Sequence, residues 1–238
     1  MIDLIDSFGR LINYLRISVT DRCNLRCIYC MPIEGIPLVP HSDILSYEEI
    51  RTIVQLAAEL GNNKVRLTGG EPLVRLDLPK LVEMLSQIEG IDEVSLTTNG
   101  TLLKKYALEL KESGLRRINV SLDTLKADRF RRITRFGELK DTLDGIEAAR
   151  NADLYPVKIN TVVMRGINDD EVVNFATMTQ KEEWHIRFIE LMPLAGITES
   201  VPSDEIRQHI ATQLGELEPC SSPTSNGPAR YYRLPAAK

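Results

Sequence analysis

Three of the four cysteines in this 238-residue chain lie within eight residues, in the stretch Cys23-Asn-Leu-Arg-Cys27-Ile-Tyr-Cys30. Thiolates at this spacing can ligate three corners of a four-iron cluster and leave the fourth iron without a protein ligand. That iron is then open to a substrate, in the same way as the open position of a catalytic zinc ion. The spacing predicts a catalytic [4Fe–4S] site on Cys23, Cys27 and Cys30.

Two other chemistries are compatible with this stretch, namely a zinc knuckle and a redox-active pair formed by Cys27 and Cys30. A structural zinc ion needs a fourth ligand. The candidates in the chain are few: His41, His185, His209 and Cys220. Cys220 has no second cysteine near it, and we interpret it as an incidental thiol. The cluster is the favoured interpretation, and both alternatives remain open at this point.

The composition is that of an ordinary soluble globular protein, with 43% hydrophobic and 26% charged residues. A formal net charge of -5 gives no broad basic surface for nucleic acid. The first ten residues contain two aspartates and no continuous apolar run, so we expect neither a signal peptide nor a membrane helix. These features predict a cytoplasmic protein with reduced cysteines and with neither nucleic acid nor membrane as a partner.

Six short runs rich in β-branched residues alternate with segments of helical periodicity. The runs are 14–19, 64–68, 93–97, 117–122, 157–163 and 185–191. Ser46 and Glu49 form the capping box of one predicted helix, Gly114 ends another, and Ser203 is the expected cap of a third. Because parallel neighbours need crossover connections, six strand–helix units in a row predict an α/β fold with a parallel sheet and outer helices.

Several of these strands alternate between apolar and polar residues, whereas parallel strands that are buried on both faces are usually apolar throughout. Ile17 follows Arg16, and Leu67 follows Arg66. The apolar face should pack on the helices, which leaves a polar face on the other side of the sheet. A closed barrel would bury these cations at a cost of several kcal/mol each. We therefore predict a partial (β/α)6 barrel of TIM-like type with a wet lumen.

The chain shows no internal repeat and no linker before about residue 215. We expect residues 1–214 to form the barrel and residues 215–238 to form a loop and tail. Within the tail, Glu218 to Pro228 is rich in Ser, Pro, Asn and Gly and is predicted to be a loop. Tyr231 to Leu234 could add one strand.

Two further features point to a bound ligand. Gly69-Gly70-Glu71-Pro72 follows the second strand, where glycines allow close backbone approach to a ligand; a simple strand-to-helix turn is the alternative. Strand parity places Arg16, Arg66 and Lys158 on the polar face, where converging cations suit a polyphosphate. Pairing with carboxylates such as Glu71 or Glu190 is the alternative for these cations. No Walker-type phosphate loop occurs, so a nucleotide would be a substrate and not a fuel.

The cysteine motif, with its tyrosine before the last cysteine, resembles that of the radical S-adenosylmethionine (SAM) superfamily. Further segments narrow the resemblance to the GTP 3′,8-cyclase (MoaA) family of molybdenum cofactor biosynthesis. They are residues 20–32 (TDRCNLRCIYCMP), 65–75 (VRLTGGEPLVR), 96–100 (LTTNG), 116–123 (RRINVSLD), 165–169 (RGIND) and 187–193 (RFIELMP). The resemblance runs from about Gly9 to Leu234.

The resemblance implies ligand contacts for eight residues of this sequence. It implies SAM as a cofactor of the cluster, with contacts from Tyr29, Gly70, Ser121 and Met192. It implies GTP as the substrate, with contacts from Arg16, Arg66, Thr97 and Lys158. For single residues such as Ser121, Met192 or Tyr29, a purely structural role is the alternative.

The implied reaction begins with reductive cleavage of SAM and converts GTP to its 3′,8-cyclised dihydro form. Its implied partners are an electron donor and, downstream, a cyclic pyranopterin monophosphate synthase, and the resemblance also permits a homodimer. The family carries a second cluster on three C-terminal cysteines, and this sequence contains only Cys220 after Cys30. We therefore expect one cluster per 238-residue chain, with slow SAM cleavage and weak coupling to GTP turnover. A radical enzyme for another anionic substrate and an inactive nucleotide-binding relative are the alternative functions.

Overall fold

The fold is built on a six-stranded parallel sheet in which the strands follow one another in chain order. The structure is a computed structural model that describes residues 4–182, 184–193, 196, 198–220 and 229–235. The strands are β1 (Tyr14–Ser18), β2 (Lys64–Thr68), β3 (Glu93–Thr98), β4 (Arg117–Ser121), β5 (Val157–Val163) and β6 (His185–Glu190). Each agrees with a predicted run to within one residue at either end.

Helices cover one face of this sheet. They are α1 (Tyr47–Glu59), α2 (Leu78–Ser86), α3 (Leu103–Glu112), α4 (Ala127–Thr134), α5 (Leu139–Asn151), α6 (Val172–Lys181) and α7 (Ser203–Leu214). The apolar residues of the alternating strands lie in the core beneath them, with Val65, Leu67, Leu96, Ile118 and Val120 fully buried. The predicted division into an apolar outer face and a polar inner face is confirmed.

The barrel is open, as predicted, because β1 and β6 are the two edges of the sheet and do not pair with each other. Arg16 and Ser18 on the inner side of β1 are exposed. An open edge lets water reach the lumen and so lowers the cost of placing cations there.

The predicted helix boundaries are confirmed in two cases and wrong in one. The amide of Glu49 donates to Ser46 Oγ at 3.1 Å and the amide of Ser46 donates to Glu49 Oε2 at 2.7 Å, which completes the capping box of α1. Gly114 follows α3 with a φ of +98°. Ser203, however, does not cap α7: Pro202 occupies the cap position, and the amide of Ser203 donates to Glu190 instead.

A second, two-stranded sheet joins β7 (Glu218–Cys220) and β8 (Tyr231–Arg233) in antiparallel pairing. The predicted strand in the tail is confirmed. The predicted loop over Glu218 to Pro228 is wrong for its first three residues, which form β7. These residues are poor strand formers, and their pairing with β8 determines the strand. Residues 221–228 lie outside the described part of the chain. None of the helices described has the length and apolar character that a membrane crossing requires.

Candidate functional site

The three clustered cysteines lie on the loop that follows β1, at the edge where all six parallel strands end. The amides of Cys30 and Met31 both donate to the carbonyl of Cys27, at 2.9 and 3.2 Å, and so close a tight turn between the last two cysteines. The amide of Leu25 lies 3.4 Å from Cys23 Sγ. Cys23 and Cys27 are partly buried and Cys30 is exposed. The loop therefore presents three free thiols at the mouth of the barrel.

Two arginines hold the backbone of this loop. The guanidinium of Arg26 donates to the carbonyls of Cys23 at 2.7 Å and Leu25 at 2.9 Å. The guanidinium of Arg135, just after α4, donates to the carbonyls of Arg26 and Met31, both at 2.9 Å. Because these bonds hold the backbone and not the sulfur atoms, the thiols remain available as ligands.

The electrostatics of the thiols fit a multivalent cationic group. Burial raises the pKa of all three, most strongly that of Cys27, and the charges of the neighbouring thiols add to the effect at Cys23 and Cys27. Three thiolates so close together need positive charge between them. Iron–sulfur clusters take this donor set. Among the described residues, no group of three or more His, Cys, Asp or Glu side chains is arranged to hold a single metal ion. A [4Fe–4S] cluster does not need such a group, because each cysteine sulfur binds a different iron.

The turn after β2 packs directly against the chain that leads into the cysteine loop. The amides of Gly70 and Glu71 donate to the carbonyls of Thr20 and Arg22, at 2.7 and 2.8 Å. A Cβ atom at Gly70 would lie 2.2 Å from the carbonyl oxygen of Arg22, and one at Gly69 would lie 2.4 Å from that of Thr20. The two glycines are thus required for this approach, which is independent of any contact that Gly70 makes with a ligand.

Glu71 is buried and links this turn to the end of β3. Its carboxylate accepts hydrogen bonds from the amide of Leu73 at 3.0 Å, the hydroxyl of Thr98 at 2.7 Å and the amide of Asn99 at 2.6 Å. Burial raises its pKa, and these three bonds oppose that rise. Glu190 instead accepts from the amide of Ser203 at 2.7 Å. Neither carboxylate is paired with a lumen cation in the hydrogen bonds of the described residues.

The four residues that the resemblance assigns to SAM lie on different elements of this rim. The Tyr29 hydroxyl donates to Asp123 at 2.7 Å, and burial raises the pKa of that tyrosine. Ser121 is the last residue of β4 and is partly buried. Gly70 is exposed in the turn after β2, and Met192 follows β6 with 63% of its surface exposed. All four are close to strand ends, and their contacts with a ligand stay predictions.

The residues assigned to GTP share the inner face of the sheet. Arg16 pairs in register with Arg66, and Thr97 lies in one row with Asn119 and Lys158. Arg66 is half-buried, with its guanidinium carbon 5.0 Å from the centre of the Tyr14 ring. Lys158 is buried, and this burial lowers its pKa to about 8. The prediction that Arg16, Arg66 and Lys158 lie on the same face of the sheet is confirmed.

The lumen contains further polar residues that were not predicted from the sequence. Arg117, His185 and Arg187 lie on the same face, and Arg187 donates to the Tyr231 hydroxyl at 2.8 Å. The parity of β4 could have identified Arg117, since it is two residues before Asn119. His185 and Arg187 could not be assigned to this face from sequence, because apolar and polar residues do not alternate cleanly in β6. No pattern in the sequence predicts that Tyr231 lies beside them.

The lumen also contains buried polar atoms that have no hydrogen-bond partner within the described part of the chain: Arg66 Nε, Asn119 Oδ1, Asn160 Oδ1 and His185 Nδ1. Buried polar groups are rarely left in this state, since each loses its contact with water without compensation. Burial lowers the pKa of Arg66 and of His185, and the neighbouring cations lower both further. An anionic group would satisfy Arg66 Nε and the charges around it, and the two amide oxygens require a ligand that also carries hydroxyl or N–H donors.

A family model described as the radical SAM superfamily matches residues 17–179, so the chain belongs to that superfamily. Solved structures agree on the fold. SuiB of Streptococcus suis, bound to S-adenosylmethionine, superposes with a TM-score of 0.65 at 18% identity over 86% of this chain and 49% of that one. Native anSMEcpe with bound AdoMet gives a TM-score of 0.64 at 20% identity over 84% of this chain and 59% of that one.

Relatives at higher identity define the family within this superfamily. The GTP 3′,8-cyclase of Pelotomaculum thermopropionicum is 54% identical over 234 residues, which are 96% of this chain and 72% of that protein. The GTP 3′,8-cyclase of Thermodesulfovibrio yellowstonii is 52% identical over 238 residues, 98% of this chain and 74% of that protein. The chain belongs to the GTP 3′,8-cyclase family.

Proposed function

We propose that the chain is a lyase-type radical SAM enzyme that converts GTP to (8S)-3′,8-cyclo-7,8-dihydroguanosine 5′-triphosphate. One observation carries this proposal: a loop with three free thiols lies at the mouth of a lumen that is lined with cations. The lumen offers charge for a triphosphate, and the mouth offers ligands for an iron–sulfur cluster. The GTP 3′,8-cyclase family to which the chain belongs supports the same assignment.

In this proposal Cys23, Cys27 and Cys30 hold the [4Fe–4S] cluster. When bound, the cluster and SAM together supply one-electron cleavage of a sulfonium bond and a carbon-centred radical that can abstract a hydrogen atom. The protein keeps the thiol loop in place through Arg26 and Arg135. The backbone turn at Gly70, together with Tyr29, Ser121 and Met192, would bind and orient SAM around the same rim.

The lumen cations would bind the triphosphate of GTP. Arg16, Arg66 and Lys158 are the assigned contacts, and Thr97 is a hydroxyl contact in the same row as Lys158. Arginine can donate two parallel hydrogen bonds to a phosphate group. We add Arg187, which lies across the lumen beside Tyr231. Because all these residues except Tyr231 lie on strands of one sheet, they hold the substrate in a fixed position relative to the rim.

Besides binding the triphosphate, the chain partly encloses the lumen and so shields a bound substrate from water. Lys158 and Asn119 are buried, with 1% and 0% of their surfaces exposed, so a ligand that contacts them is shielded from bulk water. Shielding matters because a reactive carbon radical is otherwise quenched unproductively. The open side at β1 is the route by which the substrate can enter.

Isotope transfer tests the assignment. The chain is reconstituted anaerobically with iron and sulfide and is then mixed with dithionite, SAM and GTP carrying deuterium at C3′. We expect deuterium in the 5′-deoxyadenosine that is formed, measured by mass spectrometry together with the cyclised product. Cys27→Ala should give neither product, whereas the matched variant Cys220→Ala should behave as wild type. Uncoupled SAM cleavage gives unlabelled 5′-deoxyadenosine, so the unlabelled fraction measures the weak coupling, whereas the absence of both deuterium transfer and cyclised product would contradict GTP as the substrate.

We propose the remaining partners from the chemistry alone. Reduction of the cluster requires an external electron donor, and the cyclised nucleotide would pass to a cyclic pyranopterin monophosphate synthase. The reduced cysteines favour the cytoplasm, and a homodimer is compatible with the family. We propose residues 1–214 as the radical SAM barrel and residues 215–238 as its loop and tail.

A further inference from the structure

The side chain of Asn99, in the turn after β3, faces the first cysteine of the cluster loop. Its Nδ2 atom lies 4.0 Å from Cys23 Sγ and donates to Asn24 Oδ1 at 2.8 Å. An amide nitrogen carries two hydrogens, so one serves Asn24 and the second is free to point at sulfur. Asn99 is therefore a polar group beside a cluster ligand to which neither the motif nor the family comparison assigns a role.

The orientation of this amide is fixed by its other atoms. Asn99 Oδ1 accepts hydrogen bonds from the amide of Thr101 at 3.0 Å and from its hydroxyl at 2.7 Å. The backbone amide is a donor only, so the atom that faces it must be the oxygen of Asn99, and the nitrogen must face Cys23. The backbone of Asn99 is held as well, through its own amide on Glu71 at 2.6 Å. The donor is thus built into the turn and does not depend on a mobile side chain.

We propose that Asn99 is a positioning residue that raises the reduction potential of the cluster by donating a hydrogen bond to the Cys23 thiolate. A reduced cluster carries one more negative charge than the oxidised cluster, and part of that charge resides on the sulfur ligands. A donor aimed at one of them stabilises the reduced state more than the oxidised state. Hydrogen bonds to the sulfurs are among the factors that set cluster potentials. The inference rests on the proposed cluster site but not on the identity of the substrate.

The test uses the reconstituted 238-residue chain without GTP, so that failure of the substrate assignment does not affect it. Asn99→Ala removes the donor without adding charge. Asn99→Asp keeps the oxygen that accepts from Thr101 and replaces the donating group. Asn24→Asp is the control for charge: it adds the same charge within the cluster loop and still accepts from Asn99, and it loses only the bond from Asn24 Nδ2 to the Thr101 hydroxyl. The midpoint potential of each protein is measured by redox titration followed by electron paramagnetic resonance.

We expect the one-electron reduction equilibrium of Asn99→Ala to be less favourable by roughly threefold to tenfold, where tenfold corresponds to about 59 mV. Asn99→Asp should shift the potential further in the negative direction than Asn24→Asp does. An unchanged potential in Asn99→Ala would overturn the proposal. If Asn99→Ala fails to hold the cluster, equal potentials in Asn99→Asp and Asn24→Asp would overturn it, because charge alone would then explain the shift.

Discussion

Lys158 should bind its ligand with uptake of a proton, and replacing it with arginine should abolish that uptake. The side chain is buried, with 1% of its surface exposed. Burial is the largest cause that lowers its pKa to about 8, and the charges of Arg117 and Arg187 lower it further, while Tyr231 acts in the opposite direction. His185 faces the same space, and burial lowers its pKa as well.

The size of the effect follows from this pKa. In the free protein Lys158 is about half charged at pH 8 and about one-tenth charged at pH 9. A bound polyphosphate favours the charged form and raises the pKa towards its ordinary value of 10.5. Binding should therefore take up about half a proton at pH 8 and about nine-tenths of a proton at pH 9. By linkage, affinity for GTP should fall about tenfold between pH 7 and pH 9.

Calorimetry of GTP binding in buffers with different ionisation enthalpies measures this uptake at each pH under anaerobic conditions. Lys158→Arg is the matched variant, since arginine stays charged throughout this range. It should bind GTP with no proton uptake between pH 8 and pH 9 and with nearly constant affinity. The same uptake in wild type and Lys158→Arg would refute the reasoning, because another group would then be the one that titrates.

Three further predictions concern the cluster, the lumen and the rim. Reconstitution should give about four irons per 238-residue chain by iron analysis, and a load near eight irons would contradict the ligand set. Alanine at any one of Cys23, Cys27 or Cys30 should abolish the brown colour of the cluster, whereas Cys220→Ala should leave it unchanged. Arg66→Ala should weaken GTP binding by about 1.5–3 kcal/mol in calorimetry, which is the usual scale for hydrogen bonds to charged groups, and should leave the melting temperature nearly unchanged. Equal affinity for GTP in Arg66→Ala and wild type would show that Arg66 does not contact the triphosphate. Gly70→Ala should lower the melting temperature and the iron load together, because its Cβ would lie 2.2 Å from the Arg22 carbonyl oxygen; wild-type values of both would refute the close packing of this turn.

The sheet was largely predictable from sequence because its signals are local. Alternation in β2 and β4 determines which residues face the helices, and parallel pairing follows from the helices between the strands. The same alternation placed Arg16, Arg66 and Lys158 on one face. The error at Ser203 arose because a residue 13 positions earlier, Glu190, holds its amide. Contacts of that kind have no local signature.

The contacts that organise the site were not predictable for the same reason. Glu71 joins the turns after β2 and β3, and Asp123 joins Tyr29 to the amide of Val162 at 2.8 Å. Burial raises the pKa of Asp123 to about 6. A carboxylate in a sequence motif suggests a ligand contact, yet in both cases the structure uses it to hold loops together. Only the three-dimensional arrangement distinguishes the two roles.

The register of the sheet arranges the four assigned GTP contacts in two layers, and Arg187 lies in a third layer still closer to the strand ends. Arg16 and Arg66 are paired in one row, and Thr97 and Lys158 lie in a row two residues closer to the strand ends. At about 3.3 Å per residue, the two layers are about 7 Å apart along the strands. Together they offer cationic contacts along a path that an extended triphosphate can follow.

This layering favours a substrate that is charged at one end only. The lumen carries Arg16, Arg66, Lys158 and Arg187, whereas the rim arginines Arg26 and Arg135 already donate to backbone carbonyls of the cysteine loop. A molecule with an anionic tail would place that tail in the lumen, and its uncharged end would then lie at the rim beside the thiol loop. A nucleoside triphosphate has this polarity, with the ribose and base at the uncharged end. A substrate with its charge at the reacting end would bind in the opposite sense and leave the reacting atoms away from the cluster loop.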